Sequence, residues 1–309
     1  MHRTIEIAVP PSHTEELVEE LGRLDGVVSL SVVRGASVKP EGDVLTVHAL
    51  NRGADEVLRL AEAASAHGRV SVSTGELSSL VDAEQEEAVA KDVDEAFWEE
   101  VETTLRHQSR TTANYLLLMA LGGAIAATGF AVHHATEQAL SFVAGAIVAP
   151  GFEPLAKVSV GLGLRRWGVV ARSLGSAGLG YLVLGISAAL VFLVLRLTGS
   201  VTVGGFVDNQ GVHSLGHLAA RGVLLSAFGA LAGMIMLTTY RQHLLPGALI
   251  ALRVIESAAL VGAALVAGEP GLALGALERF IISAVLVFAA GVLVVRLKQA
   301  IMHRRKPKL

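Results

Sequence analysis

Residues 145–163 read GAIVAPGFEPLAKVSVGLG, and this stretch decides the fold of the chain. It is apolar enough to lie inside a membrane, yet it contains Pro150, Gly151 and Pro154 together with two charged residues, Glu153 and Lys157. Proline removes a backbone donor and clashes with the preceding turn, so the sequence predicts a kinked or broken helix here. A broken helix persists at membrane depth only inside protein or beside a cavity. The stretch is therefore a candidate working centre.

Long apolar runs continue on both sides of this stretch. The chain has 309 residues, of which 52% are hydrophobic, and its mean hydropathy is +0.56. A membrane-spanning helix needs about 20 mostly apolar residues. Six segments meet this requirement and predict an α-helical membrane domain over 113–297: 113–132, 138–156, 173–195, 218–239, 247–267 and 275–295.

The distribution of Lys and Arg predicts the orientation of these spans. Loops on the cytoplasmic side carry the excess of Lys and Arg. The loops 133–137, 198–217 and 268–271 contain neither residue, whereas basic residues precede the first span, follow the second and fill the tail 298–309. We therefore expect both termini, and the basic tail, to be cytoplasmic in a prokaryotic inner membrane.

The two halves of the predicted membrane domain resemble each other. Residues 145–174 and 247–277 both start with Gly-Ala, carry charges in mid-span and turn at a similar distance. Each half contains three spans, so a duplicated unit must insert in the opposite orientation. The sequence thus predicts a 3+3 inverted repeat, in which transporter sites form from discontinuous helices near the bilayer midplane.

Four charged residues inside these paired spans are the candidate site. Each costs roughly 2.5–3.5 kcal/mol at a helix centre, whereas exposed ion pairs within one helix return only about 0.3–0.5 kcal/mol. Structural ion pairing remains one interpretation, and a permeation or binding site is the other. The predicted pathway residues are Glu153, Lys157, Arg253, Glu256, Pro150, Gly151, Pro154 and Ser283.

Residues 1–75 have the composition of a soluble domain. Alternating apolar residues predict strands at 4–9, 26–34, 43–50 and 69–74, and two amphipathic helices lie between them. The order βαββαβ predicts a small ferredoxin-like or ACT-like α+β domain. Because no signal peptide precedes it, this domain is expected in the cytosol.

Residues 76–112 are predicted to be an acidic linker, with one long helix over 82–108. Its apolar stripe gives two interpretations, a solvated linker or an oligomerisation stalk anchored by Phe97 and Trp98. A homo-oligomer is therefore expected. Attraction of cations by the acidic faces is a third interpretation.

The motifs of the membrane part resemble a known family. Gly145–Pro154 is similar to the GAMLISPLMGP run of the prokaryotic "uncharacterised hydrophobic domain" family, domain of unknown function 389, and Leu245-Pro246-Gly247 is similar to its LPG run. Glu153 replaces a glycine of the family pattern, Leu252-Arg253 stands where paired prolines are usual, and Ser283 stands for an asparagine. The resemblance implies an integral inner-membrane protein and carries no substrate.

The sequence favours a transporter or channel for a small ion or polar solute, with a cytosolic regulatory or assembly domain. The alternative is a non-conducting membrane-anchored sensor or scaffold whose soluble domain binds a ligand or partner. No nucleophile–base or metal set can be assembled, so an enzyme, a cofactor or a metal is not expected. His213 and His217 have metal-ligand spacing if they lie on a helix, but no third ligand is nearby in the sequence except Asp208. The bilayer is the expected surrounding, and no nucleic-acid partner is expected.

Overall fold

The computed structural model describes residues 2–77, 79–80, 82, 85–92, 101, 105–106, 110–132, 134–239 and 245–301. The chain divides into two compact units. One contains Met1–Trp98 with Lys298–Leu309, and the other contains Glu99–Leu297. The described residues are mostly helical, and the first unit contains a four-stranded sheet.

The sheet of the first unit is antiparallel, with strand order β2-β3-β1-β4. Its apolar face carries Ile5, Ile7 and Val47, against which both helices pack. Since strand residues alternate between faces, this one face collects the core while the other stays polar. The elements are β1 (His2–Val9), α1 (Thr14–Gly22), β2 (Val27–Val38), β3 (Glu41–Ala49), α2 (Asn51–Ala64) and β4 (Ser71–Leu77).

Among its described residues, the segment after the sheet does not form the single helix expected over 82–108. A short helix, α3, covers Glu86–Ala90, and the chain leaves helical geometry at Lys91 and Asp92. Here Asp92 accepts hydrogen bonds from the first residues of α2, which competes with helix continuation. Phe97 and Trp98, the predicted stalk anchors, lie outside the described residues.

The second unit consists of apolar helices joined by short connections. Within the described residues, three helices (α7, α10 and α13) are long and apolar enough to span a membrane, and a bent pair, α5 with α6, makes a fourth candidate. The helices are α4 (Ala113–Gly129), α5 (Ala135–Val148), α6 (Phe152–Gly163), α7 (Trp167–Leu197), α8 (Val203–Val207), α9 (Gln210–Gly216), α10 (Ala220–Leu237), α11 (Leu245–Leu252), α12 (Val254–Ala267) and α13 (Pro270–Ile301).

The second and fifth predicted spans are both interrupted. The first interruption is the one that the prolines predict. The chain bends by 53° between α5 and α6, around residues 149–151. In the fifth segment, α11 and α12 are separated by Arg253 alone, which has left-handed backbone angles (φ 51°, ψ 28°). The half-helices α6 and α12 are largely buried, so the interrupted segments lie within protein as the bilayer requires.

Glycines let these helices approach closely. A Cβ atom built on Gly262 of α12 would lie 2.1 Å from the carbonyl oxygen of Gly185 in α7. One built on Gly291 of α13 would lie 2.2 Å from the Cβ of Ser159 in α6. Small residues at helix contacts are the usual means of packing in membranes, where the hydrophobic effect does not drive helix association. The half-helices α12 and α6 are thus each packed against a long helix through a glycine contact.

Candidate functional site

The first helix break, between α5 and α6, is stabilised by Tyr181. Pro150 and Pro154 flank Gly151, where α5 ends and α6 has not begun. The hydroxyl of Tyr181, from α7, donates to the carbonyl oxygen of Gly151 at 3.0 Å. A carbonyl freed by the break thereby finds a partner inside the protein. Sequence reasoning missed Tyr181, because its partner lies 30 residues away along the chain.

Glu153 lies in the first turn of α6, directly after this break. Its carboxylate interacts with its own backbone N–H, while Oε2 is buried and has no hydrogen-bond partner among the described residues. An acid near a helix N-terminus gains roughly 0.3–1 kcal/mol from the helix dipole. That gain is smaller than the roughly 2.5–3.5 kcal/mol cost of a charge at membrane depth. Oε2 of Glu153 is therefore an acceptor that no described residue uses.

The second break is stabilised by two serines. The Ser226 hydroxyl, from α10, donates to the carbonyl oxygen of Leu252 at 3.3 Å, and that of Ser257 donates to the carbonyl oxygen of Arg253 at 2.8 Å. The Ser226 contact satisfies a carbonyl group that a continuous helix would have satisfied itself. The Arg253 carbonyl oxygen also accepts from the backbone N–H of Ser257 at 3.1 Å, so the Ser257 hydroxyl is its second donor. The half-buried Arg253 side chain extends to Ser214, with Nη1 at 3.5 Å from the hydroxyl oxygen.

Glu256 repeats the geometry of Glu153 at the second break. It lies in the first turn of α12, is 3% exposed and interacts with its own backbone N–H. Its Oε2 is also buried without a hydrogen-bond partner in the described part of the chain. Arg253 and Arg279 are close enough to interact with it electrostatically. Each break is thus followed within one helical turn by a carboxylate with a free oxygen.

The two breaks touch each other. A Cβ atom built on Gly151 would lie 2.7 Å from Cδ1 of Ile255 and 2.7 Å from the hydroxyl oxygen of Tyr181. Tyr181 is also within electrostatic reach of both Glu153 and Glu256. A side chain at position 151 would therefore require Ile255 or Tyr181 to move. Glycine at this position allows the close approach of the two breaks.

Arg279 is a site residue that the sequence analysis did not select. It lies in α13, and its side chain is 6% exposed. Nη1 donates to the carbonyl oxygens of Ser214 (2.9 Å) and His217 (3.4 Å), while Nε has no partner among the described residues. Only the folding of the 198–217 segment against α13 supplies those carbonyls.

Ser283 lies one turn after Arg279 and is 1% exposed. With Arg279 and Ser226 it lines a cavity of about 10 Å³, close to the smallest space that holds one water molecule. Ser226 also contacts the second break, so the cavity adjoins the predicted pathway residues. Sequence reasoning identified Ser283 only through the family pattern.

Lys157 lies one turn after Glu153 in α6 and is half-buried. Among the described residues, no group of three or more His, Asp or Glu side chains is placed to hold a metal ion. The rings of His213 and His217 lie with their centroids 4.3 Å apart and their planes tilted by 44°.

Comparison with known proteins identifies one family. The family described as Domain of unknown function (DUF389) matches residues 146–289, slightly less than half of the chain. The resemblance stated from the motifs is thus confirmed, and the match contains both breaks, Tyr181, Arg279 and Ser283. Neither a curated protein nor a solved structure matches the chain.

Proposed function

We propose that this multi-pass membrane protein conducts or carries a small ion past the paired breaks, with Glu153 and Glu256 exchanging protons or holding a cation. The observation that carries the proposal is the recurrence of one arrangement: a break, a new helix start and a buried carboxylate with a free oxygen. Pathway charges in transporters lie at such discontinuous helices. No enzymatic step is part of this proposal.

Paired contacts support an inverted repeat of three helices in each half. A shared sequence spacing also supports it, because Tyr181 follows Gly151 by 30 residues and Ser283 follows Arg253 by the same number. A Cβ built on Gly122 of α4 would lie 2.9 Å from the carbonyl oxygen of Gly145 in α5.

The second half has the corresponding contact, because a Cβ on Gly229 of α10 would lie 3.1 Å from the carbonyl oxygen of Ala248 in α11. Each half-helix that follows a break also contacts the long helix that ends the other half: α6 contacts α13, and α12 contacts α7. In this proposal the helices α4 and α12 complete six spans, although each is shorter than the three long ones.

The soluble unit belongs to the proposal as a cytosolic regulatory domain of ferredoxin-like type. The strand order β2-β3-β1-β4, with both helices on one face, supports that assignment. The lysine- and arginine-free loops 133–137, 198–217 and 268–271 support cytoplasmic termini in an inner membrane. Homo-oligomerisation through the linker remains a prediction.

The experiment is flux into proteoliposomes of purified protein, measured for protons with a trapped pH dye and for Na⁺, K⁺ and Cl⁻ with radiotracers. We expect at least one ion to cross faster than in protein-free vesicles. Glu256→Gln and Glu153→Gln keep the size of the side chain but remove its ionisation, so each should lower that flux tenfold or more. Folding is checked by size-exclusion chromatography.

Glu278→Gln is the matched control, because Glu278 precedes Arg279 on α13 but is exposed. Its flux should equal that of the unchanged protein. If no ion crosses faster than in empty vesicles, or if both glutamine variants retain full flux, the pathway proposal is wrong. The non-conducting sensor or scaffold would then be the remaining candidate.

A further inference from the structure

Helix α2 begins without a cap of its own. The residue before it is Leu50, whose side chain has no hydrogen-bonding atom, and no side-chain cap bond forms there. The first N–H groups of a helix have no partner within the helix and attract negative charge. Asn51 and Arg52, the first two residues of α2, are therefore a place where a carboxylate from elsewhere would bind.

Asp92 supplies that carboxylate from 41 residues further along the chain. Its Oδ2 accepts from the backbone N–H of Asn51 at 2.9 Å, and its Oδ1 from that of Arg52 at 3.4 Å. His2 Nδ1 lies 3.2 Å from Oδ2. The Asp92 side chain is 1% exposed, although the linker sequence around it is strongly acidic and polar.

The contact joins three parts of the first unit. His2 belongs to the sheet, Asn51 to the start of α2, and Asp92 to the segment that leads toward the first membrane helix. Arg3 is fully buried at the same helix start, with Nε 3.4 Å from Oδ1 of Asn51. One carboxylate therefore holds the beginning of the linker against the soluble domain.

We propose that Asp92 is a latch that couples the start of α2 to the linker, so that the two open and close together. Opening of the α2 start then releases the segment 86–92, and release of that segment opens the α2 start. This inference does not depend on ion conduction. It also accounts for the interruption of the predicted long helix, because Asp92 is withdrawn from helical geometry to reach α2.

The test is hydrogen exchange of the full-length protein in detergent, read by mass spectrometry. Asp92→Ala should raise the exchange rate tenfold or more in two places at once, the first turn of α2 and the segment 86–92. Amides of β1 and β3 should stay protected, which shows that the sheet remains folded. Glu87→Ala is the control, because Glu87 belongs to the same short helix but is exposed and pairs with Lys91.

Two results would overturn the latch. One is unchanged exchange in the first turn of α2. The other is opening of α2 while 86–92 stays as protected as before, which would make Asp92 a cap and nothing more. If Asp92→Ala unfolds the sheet, Asp92→Asn replaces it, since this variant retains an acceptor without charge. An intermediate rise in both segments then supports the latch, and no rise rejects it.

Discussion

Arg253 combines two roles that a single substitution would confuse. Its backbone makes the second break by adopting left-handed angles, and its side chain reaches toward Ser214 and the charge of Glu256. Left-handed geometry costs a residue with a side chain roughly 1–2 kcal/mol, and glycine avoids this cost. The backbone at position 253 is therefore strained, and this strained geometry separates α11 from α12.

Comparison of Arg253→Gly with Arg253→Ala separates the two roles. Both lose the guanidinium group, but only glycine relieves the backbone strain. We expect the free energy of unfolding of the glycine variant to exceed that of the alanine variant by about 1 kcal/mol. Denaturant unfolding of both variants in detergent measures this difference.

Arg172, exposed and inside the regular part of α7, is the control position. There the order should reverse, because glycine in a regular helix is less stable than alanine by about 1 kcal/mol. The same order at both positions would contradict a left-handed Arg253.

At the scale of elements, Asp43 ties β3 to two neighbours. The Thr14 hydroxyl at the start of α1 donates to its Oδ2 at 2.7 Å, and the N–H of Gly35 in β2 donates to its Oδ1 at 2.8 Å. The Gly35 N–H, followed by the Thr14 hydroxyl, lowers the pKa of Asp43 below its ordinary value. Gly35 has a positive φ of 63°, which suits the irregularity of β2 at this point.

Since the folded pKa of Asp43 lies below its unfolded value of about 3.9, the carboxylate stabilises the domain above that pH. This stabilisation is lost as the pH falls through the lower, folded pKa. Asp43→Asn should therefore destabilise the domain at neutral pH, and the difference from the unchanged protein should shrink below about pH 4.

Exchange of β3 amides, corrected for the intrinsic effect of pH, measures this difference in the full-length protein. Glu41→Gln, at an exposed position of the same strand, should have little effect at any pH. A difference for Asp43→Asn that stays constant from neutral to acidic pH would show that charge is not involved.

At the scale of the whole molecule, the chain offers a direct test of topology because it contains no cysteine. Single cysteines can be introduced at exposed positions and labelled in intact cells with a membrane-impermeant maleimide. We expect Thr136→Cys and Ser200→Cys to be labelled from outside. Ser12→Cys and Ile301→Cys should react only after the cells are permeabilised.

That pattern follows from cytoplasmic termini and an even number of crossings. Labelling of Ser12→Cys and Ile301→Cys from opposite sides would require an odd number, and the 3+3 arrangement would be wrong. Each variant is labelled after denaturation to show that its thiol is reactive.

The positions of most helices and strands follow from short stretches of the sequence. Apolar runs define where helices lie, alternating residues define the strands, and Pro150 with Pro154 defines the first break, because proline acts on its own turn. Glu153 and Glu256 could be selected from the sequence, because an ionisable group in an apolar run is costly wherever its side chain points.

Other features depend on contacts between distant residues, and only the tertiary structure decided them. Tyr181 became part of the site through the Gly151 carbonyl, and Arg279 through carbonyls of the 198–217 segment. Asp92 ended a predicted helix because the uncapped start of α2 lay within reach. Helical periodicity predicts which face of a helix is apolar, whereas a hydrogen bond across 30 or more residues depends on which elements pack together.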